Sequence, residues 1–269
     1  MGESTAIAWT DHTFNPWWGC ERVSPGCQNC YAETFAKRTG HPVWGKHADR
    51  RRFGDKHWSE PLNWNRQAEA KGRRHRVFCA SMADVFEDRD DHDDDRARLW
   101  ALIVATPWLD WQLLTKRPQN VLDFVPSDWH GEGFADRAQR LWPANVWIGT
   151  TVEDQQRAEE RIPHLLAVPA RVRFLSCEPL LGEVRLARWL WRVEPPAEPE
   201  QTGAIAWVIA GGESGPRHRP LDLRHARILQ RECANAGVAF FFKQVGGLHP
   251  TSGGDLLDGV QHKAFPAVS

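Results

Sequence analysis

The 269-residue sequence predicts an α/β protein of parallel strands, a partial TIM-like barrel of six or seven β/α units, on three observations. Short apolar runs recur at 77–81, 111–115, 146–150, 172–176, 205–210 and 238–242. Helical patterns lie between them, at 96–105, 118–124, 154–167 and 223–236. Short apolar strands alternating with helices are the mark of βα units around a parallel sheet. One further short strand, at 6–9, precedes the series, and no G-x-G-x-x-G follows it, which argues against an open dinucleotide-binding sheet. The length suits a single α/β barrel, so residues 1–269 are read as one domain.

After the strand at 6–9, residues 13–16 lead the chain into a loop that carries Cys20, Cys27 and Cys30 in a C-x6-C-x2-C arrangement. Three thiolates on one short loop can hold a metal centre, and soft sulfur ligands select zinc, copper(I) or an iron–sulfur cluster over magnesium or calcium. A closed structural zinc site requires four ligands, whereas a four-iron cluster on three cysteines leaves one iron open. Pro25 and Gly26 turn the chain before Cys27. Residues 31–38 read as a helix ending near Gly40, so Cys27 and Cys30 sit at a helix N-terminus, where thiolate is favoured. Cys79 and Cys177 are scattered, and Cys233 falls in a helical apolar pattern as a packing residue.

Residues 41–76 form an excursion rich in Trp, His and Arg. Residues 1–76 hold thirteen Lys and Arg against eight Asp and Glu, with dense spots at 50–52 and 71–76. Two readings stand: a solvated face, or contact with nucleic-acid phosphates, with Trp44, Trp58 and Trp64 available to stack on bases. Residues 87–95 contain seven acids and read as a solvated loop entering a helix rich in acid at its start. Residues 192–203, with three prolines, read as a surface loop. In the helix at 223–236, Asp222 is the expected N-cap and Gly237 the expected C-terminal stop.

In a parallel barrel the chemistry lies beyond the carboxyl ends of the strands. Polar groups gather there: Asp84 after the first run of the series, Lys116 and Arg117 after the next, then Glu153, Glu178, Glu213 and Lys243. A charge directly after an apolar strand lies near the core and needs a partner. The glycine-rich loop at 211–215 allows close backbone approach to a ligand, and Arg217 and Arg219 follow it. Neither a Walker A lysine, a G-x-S-x-G nor an H-E-x-x-H occurs.

The formal net charge of −1 argues against coating nucleic acid by bulk charge. No apolar run approaches the length of a membrane span, and the first residues do not read as a secretion signal. The expectation is a cytoplasmic protein without a membrane partner, in which clustered cysteines bind metal rather than form disulfides. Fifteen Trp and a single Tyr, Tyr31, are present; most of the Trp are assigned to packing.

Several stretches carry a specific resemblance. They are Trp9-Thr10-Asp11 with Asn15-Pro16 and Gly19-Cys20; Ser24-Pro25-Gly26-Cys27 with Cys30-Tyr31-Ala32-Glu33; and Leu114-Thr115-Lys116-Arg117-Pro118. Trp147-Ile148-Gly149, Val152-Glu153-Asp154, Glu178-Pro179-Leu180-Leu181-Gly182, Gly211-Gly212-Glu213-Ser214-Gly215 and Phe241-Phe242-Lys243-Gln244 continue the series. In these the chain resembles the phage Gp37/Gp68-like family of three-cysteine-motif proteins of unknown function. That family in turn resembles the radical S-adenosylmethionine (SAM) superfamily.

The resemblance implies a partial barrel with a [4Fe–4S] cluster on Cys20, Cys27 and Cys30, whose open iron takes SAM. It further implies an external electron donor and reductive cleavage of SAM to start radical chemistry on a substrate, and the phage link suggests a nucleotide or nucleic acid for that substrate. The usual spacing is C-x3-C-x2-C with an aromatic before the third cysteine; here the first gap is six residues and Asn29 takes the aromatic's place. Lys116, Glu178 and Lys243 are the catalytic candidates. Gly211, Gly212, Glu213, Ser214 and Tyr31 are the candidates for holding the cofactor. The rival expectation is a zinc-binding nucleic-acid module without catalysis, taking its fourth ligand from Cys177 or a histidine.

Overall fold

The structure is a computed structural model that describes residues 5, 7–130, 142–190, 205–249 and 252–267. In chain order its strands are β1 (His12–Thr13), β2 (Trp17–Trp18), β3 (Arg51–Arg52), β4 (His75–Cys79), β5 (Leu109–Thr115), β6 (Val146–Thr151), β7 (Val172–Cys177), β8 (Trp207–Gly211), β9 (Ala239–Gln244), β10 (Leu256–Leu257) and β11 (Val260–Gln261). Its helices are α1 (Tyr31–Arg38), α2 (Asp55–Trp58), α3 (Glu60–Ala70), α4 (Asp93–Val104), α5 (Val121–Phe124), α6 (Gln155–Ala167), α7 (Ala187–Leu190) and α8 (Leu223–Ala236).

Seven strands form one sheet in the order β1-β4-β5-β6-β7-β8-β9. The β1/β4, β4/β5, β7/β8 and β8/β9 pairs are parallel. With helices between its strands, this is the α/β architecture of a partial TIM-like barrel. The middle strands are apolar without alternation because both their faces are covered: every residue of β6, β7 and β8 is buried. Among the described residues no helix is long and apolar enough to cross a membrane.

The chain gathers into two compact units. The first holds Met1–Arg22, Ala32–Ile148 and Val168–Arg171; the second holds Val23–Tyr31, Gly149–Ala167 and Val172–Ser269. In the first, Trp111 on β5 meets Phe14 edge-on, and His12 stacks on Trp64 of α3 with ring centroids 4.4 Å apart. In the second, Trp207 on β8 meets Phe241 on β9 edge-on. α8 starts on Asp222, whose carboxylate accepts from the Arg224 N–H, and stops at Gly237 in the left-handed region at φ 67°, as its end signals predict.

Some elements depart from expectation. The first strand is His12–Thr13 rather than 6–9, where Trp9 lies in a turn closed by Thr10 N–H to the Ile7 carbonyl. The Thr10 hydroxyl and the Asp11 N–H donate to the Arg76 carbonyl, and the Asp11 carboxylate accepts from the Arg76 N–H, so pairing with β4 starts at the end of this turn. The expected helix at 118–124 is a short 3-10 turn, Pro118–Asn120, followed by α5. The 41–76 excursion contains a genuine helix, α3, with Pro61 in its first turn and Pro61, Trp64 and Ala68 buried along one face. The proline-containing loop at 192–203 lies outside the described residues.

Candidate functional site

The cysteine loop is anchored at its start by Gly19. Its N–H donates to the Met82 carbonyl at 3.0 Å, and it adopts φ 122°. A Cβ there would lie 2.3 Å from the Val43 carbonyl oxygen and 2.5 Å from Arg50 Cδ, so only glycine fits. Arg50 fills this crowded place because its guanidinium is fully buried. It pairs with Glu87 at 2.7 Å and donates to the carbonyls of Val43, Gly45 and Ala48. Burying both charges is costly unless every donor is matched, and this set of partners matches them. Burial raises the Glu87 carboxyl, but His92 and Arg50 outweigh it and hold the group below the usual glutamate range.

Cys20 belongs to the first unit and faces Arg117, whose Nη1 lies 3.9 Å from Sγ. The same Nη1 donates to Asp84 Oδ2 at 3.0 Å, and Nη2 donates to the Glu21 carbonyl at 3.1 Å. Asp84 also accepts from the Phe86 N–H, the Thr115 hydroxyl and the Lys116 N–H. The strand ends of β4 and β5 thus build one network on this thiol. The residue is half-buried, yet its sulfur is enclosed: burial, with Asp84 adding to it and Arg117 opposing it, pushes the Cys20 thiol up to about 12. As a thiol it donates to the Glu21 carbonyl at 3.4 Å.

Cys27 and Cys30 belong to the second unit. Cys27 ends a 3-10 turn, Pro25–Cys27, with its sulfur 3.8 Å from the Ser24 hydroxyl, and Cys30 directly precedes α1. Two buried carboxylates hold this segment. Glu153, paired with Arg161 at 2.8 Å, accepts from the Gly26 N–H at 3.3 Å. Glu213 accepts from Asn29 Nδ2 at 2.9 Å and from three donors of Arg219. Arg219 Nη1 then reaches the Pro25 carbonyl and Gln28 Oε1. Burial acts to raise the Glu213 carboxyl, but Arg219 and Asn29 hold it below the usual range.

The remaining candidates fall as follows. Glu178 and Lys243 form an ion pair at 3.2 Å, just past β7 and near the end of β9. Gly211 makes room for it: a Cβ there would sit 2.5 Å from Glu178 Oε1. A Cβ on Gly212 would lie 1.8 Å from the Val245 carbonyl oxygen, so the close approach both glycines allow is to the chain's own groups. Ser214 accepts from Gln244 Nε2 at 2.7 Å. Lys116 is half-buried in the first unit, and Tyr31 is 57 % exposed at the start of α1. Asp84, Arg117, Glu153, Arg161 and Arg219 are the residues whose roles sequence reasoning missed. Most stood in the strand-end sets, but nothing in their spacing showed which neighbour reaches the cysteine loop.

None of the six cysteines is in a disulfide. Cys177 is fully buried in β7, which pushes its thiol well above the ordinary value, and Cys233 is buried in α8 as a packing residue. Among the described residues no group of three or more His, Cys, Asp or Glu side chains is disposed to hold a metal ion. The three cysteines of the loop lie within eleven residues, none of them in a disulfide, and Cys20 lies beside a guanidinium.

The basic excursion is spent on pairs. Besides Arg50 with Glu87, Arg52 pairs with Asp91 and Asp95, Arg73 and Arg76 with Asp11, and Arg74 with Asp110. Arg51 lies 4.5 Å over the Trp18 ring and bonds His41.

Fold and loop together define a class: a parallel α/β protein with a three-cysteine loop between β2 and α1. The chain belongs to the family described as protein of unknown function (DUF5131), whose model matches residues 4–266. No curated protein and no solved structure matches it.

Proposed function

We propose that this protein is an iron–sulfur enzyme of the radical SAM type. The observation that carries the reading is the set of three cysteines, Cys20, Cys27 and Cys30, none in a disulfide, on the loop that follows β2 and ends at α1. These thiolates would hold a [4Fe–4S] cluster with one iron open. When bound, such a centre supplies the electron, taken from an external donor, that splits SAM into methionine and a 5′-deoxyadenosyl radical. Resemblance to the phage Gp37/Gp68-like proteins, and through them to the radical SAM superfamily, supports the same reading.

The chain's own residues would bind and orient the cofactor. Lys243 and Glu178, already opposed at 3.2 Å, present an ammonium and a carboxylate that can exchange partners with the carboxylate and ammonium of an amino acid. Exposed Tyr31, beside Cys30, offers a face for the adenine. Glu213 is committed to Arg219 and Asn29, so its part is to hold the loop. The zinc module has less support, because the arginines meant for phosphates are paired with Asp11, Glu87, Asp91, Asp95 and Asp110, and Cys177 is packed inside β7.

The test is anaerobic reconstitution with iron and sulfide, followed by metal analysis and incubation with SAM and a strong reductant. Iron and sulfide near four per chain, a broad absorbance near roughly 400 nm and slow release of 5′-deoxyadenosine are expected of such a centre. Zinc without sulfide, or iron without SAM cleavage, sinks the reading.

A further inference from the structure

We infer that residues 262–265 are a guard on the edge of β9, and that when they are released this edge takes β9 of a second copy of this chain. Guard and edge both lie in the second unit, and neither depends on what the cysteine loop holds.

β9 is the last strand in the sheet order and pairs with β8 in parallel. One row of its backbone groups therefore faces away from β8. Residues 262–264 take that row as an antiparallel partner. The Phe242 N–H donates to the His262 carbonyl at 2.9 Å, the Ala264 N–H donates to the Phe240 carbonyl at 3.2 Å, and Lys263 bridges Phe241. Side chains fix the segment in place. Lys263 Nζ donates to the Phe242 carbonyl at 2.7 Å, pairs with Asp255 at 3.0 Å and lies 4.6 Å over the Phe241 ring. Trp207 Nε1 on β8 donates to the Ala264 carbonyl at 2.9 Å. The Phe265 ring centroid lies 5.3 Å from that of Trp207 and 5.5 Å from that of Phe241.

The edge needs such a cover. β9 is six residues long, whereas β1, at the other end of the sheet order, has only two. A long bare edge is ready for strand addition. The run Val238-Ala239-Phe240-Phe241-Phe242 has no charge and no proline, the composition that favours association between strands. Two such edges are self-complementary, because antiparallel pairing about a two-fold axis returns to each copy the bonds it lost. The guard does not pass the hazard outward. It is short, carries Lys263 and is followed by Pro266, which has no N–H to offer. Phe265 alone would suffice to cover Trp207; the backbone row is what closes the edge.

The experiment uses the full chain and compares the wild type with the triple variant Lys263→Ala, Ala264→Pro, Phe265→Ser and with Ala264→Pro alone. Sedimentation velocity and amide exchange at Phe242 are read from dilute to concentrated protein. The triple variant is expected to form a larger species whose fraction grows with concentration beyond that of the wild type. In dilute solution its Phe242 N–H should exchange on the order of tenfold faster than in the wild type, the scale of one lost backbone hydrogen bond. In concentrated solution the exchange should slow again, because a second copy then takes the edge. An added peptide with the sequence of residues 259–267 should reverse the association. Ala264→Pro removes a single donor and should show the same changes in smaller measure; it carries the test if the triple variant does not fold. Unchanged exchange at Phe242 overturns the guard. Faster exchange at every concentration without a larger species overturns the second copy as occupant. A larger species that the peptide leaves intact places the association on another surface and overturns β9.

Discussion

The two halves of the cysteine loop are held by ion pairs of the same composition that end on different atoms. In the first unit, Arg117, clamped by Asp84, reaches the Cys20 sulfur itself. In the second, Arg219, clamped by Glu213, reaches the Pro25 carbonyl and the Gln28 side chain, while Glu213 takes the Asn29 amide. The first pair thus acts at a cysteine sulfur, and the second on the path of the chain that carries the other two cysteines. An arginine–carboxylate pair beside a site does not declare its role by its presence. What decides it is the atom at which the spare donors arrive.

The largest expected effect tests whether the two halves serve one metal. Cys20→Ala, Cys27→Ala and Cys30→Ala should each remove most of the bound iron after reconstitution, while Cys233→Ala, a change inside α8, should keep it. Iron retained by the Cys27 and Cys30 variants but lost from the Cys20 variant would divide the halves into separate functions.

A smaller effect separates position from charge. Arg219→Gln breaks a half-buried pair and should lower stability by about 2 kcal/mol, the scale of hydrogen bonds to charged groups. It should speed amide exchange at Gly26 and Gln28 and weaken iron retention, yet leave the midpoint potential of whatever cluster remains unchanged. The pair also predicts a pH response. The folded Glu213 carboxyl is held below its ordinary value of 4.5, so its stabilisation is complete above that value and is lost as pH falls through the lower, folded one. In urea midpoints taken from pH 7 to pH 3, Glu213→Gln should flatten part of the acid decline. An unchanged decline would mean that the clamp contributes nothing through its charge.

The smallest effect lies in the excursion. Arg52 is 44 % exposed in its side chain and paired with Asp91 and Asp95, so Arg52→Gln should change stability by less than about 1 kcal/mol. It should also leave the salt dependence of any DNA retention unaltered, because a neutralised guanidinium displaces no counterions. A flatter salt slope in that variant would return the segment to phosphate contact.

The sheet could be read from the sequence because its middle strands are buried on both faces and so appear as unbroken apolar runs such as 172–176 and 205–210. The helix α3 escaped because its buried face is thin, with Pro61, Trp64 and Ala68 the only buried residues in a polar segment. Cys20, Cys27 and Cys30 stand out by their spacing. The partners do not, because Arg117 and Lys116 are adjacent and only the fold decides that the Arg117 side chain reaches the sulfur. Glycines 211 and 212 read in the sequence as making room for a ligand, and the groups the structure shows close to them are Glu178 and Val245.

The pairing of the basic excursion with acids from elsewhere in the chain bears on how the molecule behaves when it is cut. Intact, the arginines at 50, 52, 73, 74 and 76 are matched by Asp11, Glu87, Asp91, Asp95 and Asp110. A proteolytic or cloned piece that carries 41–76 without Asp11 and 84–110 would be a polycation with exposed tryptophans. It would adhere to nucleic acids, to anionic resins and to glass. Retention of such a piece on a DNA column would report the scissors rather than the protein, and truncation mapping of this chain should keep Asp11, 41–76 and 84–110 together.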